Sequence, residues 1–361
     1  MSLAPRPGIL EIAPYAGGEA RVAGRNRAIR LASNENPLGP SARAKAAYLG
    51  LKGELHRYPD GDATALRQAI ADAEDIDAAR IVCGAGSDEL IGLLTRAYAG
   101  PGDEVLYSAH GFLMYRIAAQ GVGATPVAAP ERDLKADVDA LLAHVTPRTR
   151  LLFLANPNNP TGSYLTKSEL VKLHAALLPT VLLVVDAAYT EYAEVEDYCD
   201  GMALAEEKAN VVVCRTFSKM HGLAGLRLGW CYGAPAVTDV LNRLRNPFNV
   251  GEAAQVAGIA AIRDRTHRER CRKHNTRWLA WFRTEAEKLG LVAYPSIGNF
   301  VLLRFLESGG RSAAAAFAHL KSDGILVRGM AAYSLPDCLR VTIGTGPDMK
   351  AVVKSLTEFL G

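Results

Sequence analysis

Lys219 closes the run Thr216-Phe217-Ser218-Lys219, which follows the apolar stretch Val211 to Arg215 and precedes Gly222-Leu223-Ala224-Gly225-Leu226-Arg227. Small and apolar flanks suit a desolvated amine with a lowered pKa, able to condense with an aldehyde. Asp186 ends the wholly apolar run Val181 to Val185, a position that partly buries a carboxylate and demands a donor or cationic partner. Tyr189, three residues on, can present its hydroxyl to the same place, with small Ala188 before it. Gly84-Ala85-Gly86-Ser87-Asp88-Glu89 follows Ile81-Val82-Cys83, and glycines before a helix start expose N–H groups that favour an anion. Asn156-Pro157-Asn158-Asn159-Pro160-Thr161-Gly162 follows Leu151 to Ala155 and is a stiff turn that holds the Asn159 amide within reach of a ligand oxygen. Alone, each stretch also suits a plainer role: a tight turn, a helix cap, a surface lysine. A dinucleotide fingerprint fails, because Glu89 stands where G-x-G-x-x-G needs its third glycine.

Together these residues meet the needs of one cofactor, pyridoxal 5'-phosphate, which wants a lysine for its aldehyde, a carboxylate for its pyridine nitrogen and an anion cradle. Lys219 takes the first role and Asp186 the second, keeping the ring nitrogen protonated. Tyr189 and Asn159 are candidates for the ring's phenolic oxygen. Thr216, Ser218, the forked donors of Arg227 and the N–H groups of Gly86, Ser87 and Asp88 are candidates for the phosphate. Phe112 is expected on one ring face and Ala188 on the other.

The elements that must position these groups read as an α/β chain. Ile81 to Cys83, Glu104 to Tyr107, Thr125 to Ala128, Leu151 to Ala155, Val181 to Val185 and Val211 to Arg215 are compact strands alternating with helical stretches, the pattern of a mostly parallel sheet covered on both faces. In such sheets ligands bind at the carboxyl ends of strands, where the residues above lie. After Pro247 one long helical stretch from Glu252 to about Leu289 leads into a smaller α+β pattern. The expected division is an N-terminal arm 1–30, a large domain 31–250 and a small C-terminal domain 251–361.

Composition narrows the function. Hydrophobic residues at 49% and charged residues at 22% exclude a disordered or fibrous chain. Lys+Arg 41 against Asp+Glu 38 leaves only +3, so no electrostatic case exists for nucleic acid or an anionic membrane. The scattered Cys83, Cys199, Cys214, Cys231, Cys271 and Cys338 contain no Cys-x-x-Cys pair, and no histidine spacing fits a metal. With no basic, apolar leader at the N-terminus, a cytoplasmic protein is expected.

The sequence resembles the fold-type I pyridoxal-phosphate-dependent aminotransferases, and among them the histidinol-phosphate aminotransferase branch. The resemblance rests on Ser33-Asn34-Glu35-Asn36-Pro37-Leu38-Gly39, Arg57-Tyr58-Pro59-Asp60, Gly86-Ser87-Asp88-Glu89, the Asn-Pro-Asn-Asn-Pro-Thr-Gly loop, Asp186-x-Ala188-Tyr189, Arg215 to Lys219, Gly222 to Arg227 and Leu339 to Gly344. It implies that Lys219 is the Schiff-base lysine and general base, with Asp186 and Tyr189 as further catalytic groups. It also implies that Tyr58 reaches a partner subunit's cofactor phosphate in a homodimer. Tyr15, Asn34 and Asn159 would line the substrate pocket, and Arg340 with Arg328 would bind the substrate's anionic end. The implied reaction moves an amino group between L-histidinol phosphate and 2-oxoglutarate. Rival activities are an aromatic amino acid transaminase, a threonine-phosphate decarboxylase and a regulatory, non-catalytic domain. Two positions depart from the branch: Ala187 stands where Glu is common, and His221 where an aromatic precedes Gly222.

Overall fold

The computed structural model describes residues 4–15, 17–19, 21, 28–51, 56–306 and 310–361. Seven strands form the principal sheet: β1 (Ile81–Gly84), β2 (Glu104–Ser108), β3 (Thr125–Ala129), β4 (Thr149–Ala155), β5 (Leu182–Asp186), β6 (Val211–Thr216) and β7 (Gly229–Gly233). They lie in the order β1-β7-β6-β5-β4-β2-β3. All pairings are parallel except those of β7, which runs antiparallel to β1 and β6. β1, β2, β5 and β6 are buried along their whole length, which is why they read as compact apolar runs.

Alternation along β5 divides the core. Leu183 and Val185 enter one apolar cluster with Leu66, Ile70, Leu170 and Leu173, while Leu182 and Val184 enter another with Leu90, Leu94, Tyr115 and Leu241. The first cluster is built on helices Thr64–Glu74 and Lys167–Ala176, the second on Ser87–Tyr98, Leu113–Val122 and Pro235–Leu244. Helices therefore cover both faces, as expected.

β7 is absent from the strands legible in the sequence. Only Trp230, Cys231 and Tyr232 separate two glycines there, and glycines ordinarily weaken a strand. Gly229 is nevertheless required, since a Cβ would lie 2.6 Å from the Ser87 nitrogen.

The smaller sheet has strands β8 (Val292–Ala293), β9 (Phe300–Arg304), β10 (Arg328–Gly329) and β11 (Cys338–Thr342), ordered β8-β9-β11-β10 and antiparallel throughout. Its core joins Val301, Leu303 and Val341 to Phe282, Leu320, Val352 and Leu356 from three helices. Of the expected arm, residues 1–3, 16, 20 and 22–27 lie outside the described residues. Its end, Ile29–Arg30, pairs parallel with Ile325–Leu326.

The expected single helix 252–289 is two helices, Glu252–Arg263 and Arg265–Lys288. Asp264 breaks the run, and its side chain accepts from the His267 N–H to cap the second helix. Glu252–Arg263 places Ala254, Ala257, Ala261 and Ile262 in the large core. We therefore propose that the domain division falls at Asp264 rather than 250/251, because the packing partner changes there.

Candidate active site

Four chain segments end at the same edge of the principal sheet. Asp186 ends β5, Thr216 ends β6, Gly84 ends β1 and Ala155 ends β4. Between them and the small domain lies a cavity of about 290 Å³ lined by Tyr15, Asn34, Ser87, Asp88, Phe112, Asn159, Asp186, Ala188, Tyr189, Thr216, Ser218, Lys219, Arg227, Arg328 and Arg340. Gly86 stands behind Arg227. Its φ of +89° suits only glycine, and a Cβ there would collide with the guanidinium. Of the predicted residues, Gly86 and Tyr58 do not line this cavity; Tyr58 is 81% exposed and its ring stacks on that of Phe248 at 4.4 Å.

At one end of the cavity stands an anion cradle. Helix Ser87–Tyr98 begins at Gly86, so its first N–H groups have no carbonyl partner within the helix. Arg227 lies beside it, donating to Ser218 Oγ at 3.4 Å and to Asp88 Oδ2 at 3.1 Å. Thr216 Oγ1 accepts from the Ser218 N–H at 3.1 Å, which fixes the turn leading to Lys219.

Lys219 Nζ donates to the Ser33 carbonyl at 3.0 Å. Burial and the nearby Arg340 guanidinium push the amine down to about 8, against the opposing pull of Asp88. It is therefore partly neutral, hence nucleophilic, near physiological pH. Asp186 is fully enclosed, and burial lifts its carboxyl to about 6 although the Tyr115 hydroxyl, donating to Oδ2 at 2.8 Å, works in the opposite direction. Its other oxygen, Oδ1, is buried with no hydrogen-bond partner among the described residues.

The Tyr189 hydroxyl accepts from Asn34 Nδ2 at 2.9 Å, which leaves its own proton to donate. Burial raises this hydroxyl's pKa and keeps it protonated. Asn34 also receives Thr342 Oγ1 on its Oδ1 at 3.0 Å, so both ends of its side chain are held by protein. It lines the cavity, where a substrate contact is expected of it, and its amide holds the Tyr189 hydroxyl.

Arg340 is buried in the cavity wall. It donates to Asn159 Oδ1 and, at 2.7 Å, to the Ala32 carbonyl, while its Nε has no partner among the described residues. Tyr15 meets Phe112 edge-on at 6.5 Å and carries the Arg328 guanidinium 5.9 Å from its ring centre. Sequence reasoning missed Tyr115 and Tyr333. Tyr115 had a signal, because it lies one helical turn beyond Phe112 and so shares its face. Tyr333, which also lines the cavity, had none.

The two departures resolve simply. Ala187 is buried, its N–H donating to the Cys214 carbonyl. His221 is buried against the Phe217 ring at 4.8 Å. Burial, with Arg268 and Arg215 nearby, pushes it down to about 3, so it serves as a neutral aromatic. In the unfolded chain this imidazole takes up a proton below about 6.5, whereas the folded one stays neutral until about 3. Stability contributed by this site is thus present above 6.5 and is lost as pH falls toward 3, by up to about 1.4 kcal/mol per pH unit. His221→Phe is expected to unfold at lower pH than the wild type, with urea midpoints at pH 4.5 and 8 as the check. Equal pH dependence in both proteins contradicts it.

The chain belongs to the family described as aminotransferase class I and II, whose pattern it matches over residues 26–356. Within it, the chain falls in the fold-type I, histidinol-phosphate branch. The histidinol-phosphate aminotransferase of Paramagnetospirillum magneticum is 58% identical over 358 residues, 99% of each chain. That of Rhodospirillum centenum is 56% identical over 99% of this chain and 98% of its own. The fold superposes with a TM-score of 0.88 on the crystal structure of histidinol-phosphate aminotransferase from Sinorhizobium meliloti in complex with pyridoxal-5'-phosphate, at 30% identity over 98% of this chain and 97% of that one.

Proposed function

We propose that the chain is a pyridoxal 5'-phosphate-dependent histidinol-phosphate aminotransferase, exchanging an amino group between L-histidinol phosphate and 2-oxoglutarate. One observation carries the reading: a single cavity is lined by an amine of lowered pKa, a lone buried carboxylate oxygen and the guanidinium groups of Arg328 and Arg340. Relatives named for that activity, near-identical in length, support the substrate.

The residues fit the cofactor. Asp186 Oδ1 is an orphaned acceptor where a protonated ring nitrogen needs one, and the Arg227 guanidinium stands against the glycine that opens helix Ser87–Tyr98, beside its unpaired N–H groups. Thr216, Ser218, Arg227 and the N–H groups from Gly86 to Asp88 would hold its phosphate. Tyr189 and the Asn159 amide, whose Oδ1 is already engaged by Arg340, would donate to its phenolic oxygen. Phe112 and Ala188 would flank the ring. When bound, the cofactor supplies an aldehyde for condensation with amines and a ring that accepts the electron pair left at the substrate Cα.

The chain's own groups do the rest. Lys219 Nζ would condense with the cofactor's aldehyde and, as the free amine, would take up and hand on the proton at the substrate Cα. Asp186 would be kept ionised against its burial by a protonated ring nitrogen at Oδ1. Arg340 and Arg328 hold the substrate phosphate by charge-assisted hydrogen bonds, with Tyr15 and Tyr333 excluding water beside them.

A panel of amino donors tests the reading. Histidinol phosphate should exceed phenylalanine and tyrosine in kcat/KM by tenfold or more, a ~1.4 kcal/mol discrimination; the opposite order would establish an aromatic transaminase. Arg328→Ala should cost ~10–100-fold in kcat/KM for histidinol phosphate, since a hydrogen bond to a charged group contributes about 1.5–3 kcal/mol. The loss should be far smaller for a donor without phosphate.

We further infer a cytoplasmic homodimer. Exposed Tyr58 has no place in its own chain's cavity, and exposed Tyr48 and Leu49 lie beside the apolar surface of Gly222 to Leu226. All six cysteines are unpaired, and among the described residues no helix is long and apolar enough to cross a membrane. Sedimentation giving twice 38.6 kDa supports the dimer, and a single-chain mass refutes it.

A further inference from the structure

Asp186 is buried at the end of β5 with its two oxygens in different situations. Oδ2 receives the Tyr115 hydroxyl at 2.8 Å, and Oδ1 has no partner among the described residues while the residue lines the cavity. Tyr115 is itself inaccessible to solvent. Its ring lies parallel to that of Phe153 at 4.8 Å with 4° between the planes, and edge-on to Phe112 at 5.9 Å. The stacking fixes where the hydroxyl points, and the hydroxyl is out of reach of solvent that might compete with the carboxylate.

We propose that Tyr115 is a positioning residue for the cofactor's ring nitrogen, acting through Asp186. By occupying Oδ2, alongside the Ala188 N–H that also favours the ionised form, it holds the carboxylate plane and leaves Oδ1 as the carboxylate oxygen without a hydrogen-bond partner among the described residues. A carboxylate with two orphaned oxygens could rotate, or take up a proton and lose its attraction for the ring-nitrogen proton. The Tyr115 hydrogen bond opposes both, since a donor to the ionised form favours that form. Tyr115 touches neither substrate nor the reacting carbon; its effect passes entirely through one hydrogen bond. This inference rests on the cofactor reading above.

The test compares two probes in apo-protein: pyridoxal 5'-phosphate and its 1-deaza analogue, which carries C–H in place of the ring nitrogen. Tyr115→Phe keeps the ring stack and removes only the hydroxyl. Its Kd for pyridoxal 5'-phosphate is expected to rise about tenfold, the worth of one hydrogen bond to a charged group, while its Kd for the deaza analogue changes less than twofold. An equal rise for both probes, or none for either, overturns the proposal, because a packing role does not distinguish a nitrogen from a carbon. Asp186→Asn supplies a second measurement. With that substitution present, adding Tyr115→Phe should change the pyridoxal 5'-phosphate affinity less than twofold, and a full tenfold loss there also overturns it. Wild type that binds neither probe would instead fail the cofactor reading itself.

Discussion

Lys219→Ala is expected to lower kcat/KM by about 10⁴-fold or more, the combined loss of a nucleophilic amine and a general base in one site. The physical case rests on the amine's surroundings. It sits at the end of a fully buried strand, its charge penalised by burial and by Arg340, so that its pKa falls to about 8. Few lysines are so placed, because an ammonium group ordinarily reaches water. Two readouts separate the roles. Borohydride treatment should fix the cofactor to wild type but not to Lys219→Ala, which reports the covalent role. Small primary amines added to the variant should restore part of the proton transfer, which reports the base. A loss below a hundredfold, or a cofactor fixed by borohydride at another lysine, contradicts the assignment. The fold should survive, since Lys219 makes one hydrogen bond, to the Ser33 carbonyl.

Asp186→Asn should do opposite things to activity and stability. Activity is expected to fall by roughly 10³-fold, comparable to removal of an electrostatic group from other active sites, because an amide cannot keep the ring nitrogen protonated. Apo-protein stability is expected to rise at neutral pH. The carboxyl's pKa moves from 3.8 unfolded to about 6 folded, so the folded state binds the proton more tightly. Between those values stability falls as pH rises, and above about 6 the ionised group costs roughly 3 kcal/mol. Asparagine removes that cost and leaves one amide to satisfy, for a net gain of about 1–2 kcal/mol at pH 8. Near pH 3, where Asp186 is mostly protonated in both states, the ionisation cost is absent and only the unsatisfied amide remains, so the variant should be about 1–2 kcal/mol less stable than wild type. Urea unfolding of both apo-proteins at pH 3 and pH 8 checks this. A variant less stable than wild type at pH 8 means that the buried carboxylate is not strained by its burial.

Such costs are the mark of a site, and they explain why so much of it was readable in the chain. A wholly apolar strand ending in Asp186, or one running into Thr216 and Ser218 with a lysine after them, places polar groups where burial penalises them. The strands were readable for the complementary reason: residues buried on both faces leave no polar interruption. β7 was not, because its three apolar residues are framed by glycines whose purpose is to admit the Ser87 backbone, a neighbour far away in sequence. The break at Asp264 escaped notice because helical periodicity continues through it, and only its capping bond to His267 marks the end.

The division between the two kinds of information follows from distance along the chain. Local spacing determined the groups at each strand end, the α/β alternation and hence the kind of cofactor they can serve. It could not determine which group meets which. Tyr115 and Asp186 are separated by 71 residues, Asn34 and Tyr189 by 155, and Asn159 and Arg340 by 181. Those pairings decide that Asn34 steadies a tyrosine, that Asn159 is left with only its amide donors free, and that Asp186 has one oxygen to offer. They depend on the parallel stacking of β4, β5 and β6 and on the small domain closing over their carboxyl ends, and hydrogen bonds of a few ångströms can select partners only once that packing exists.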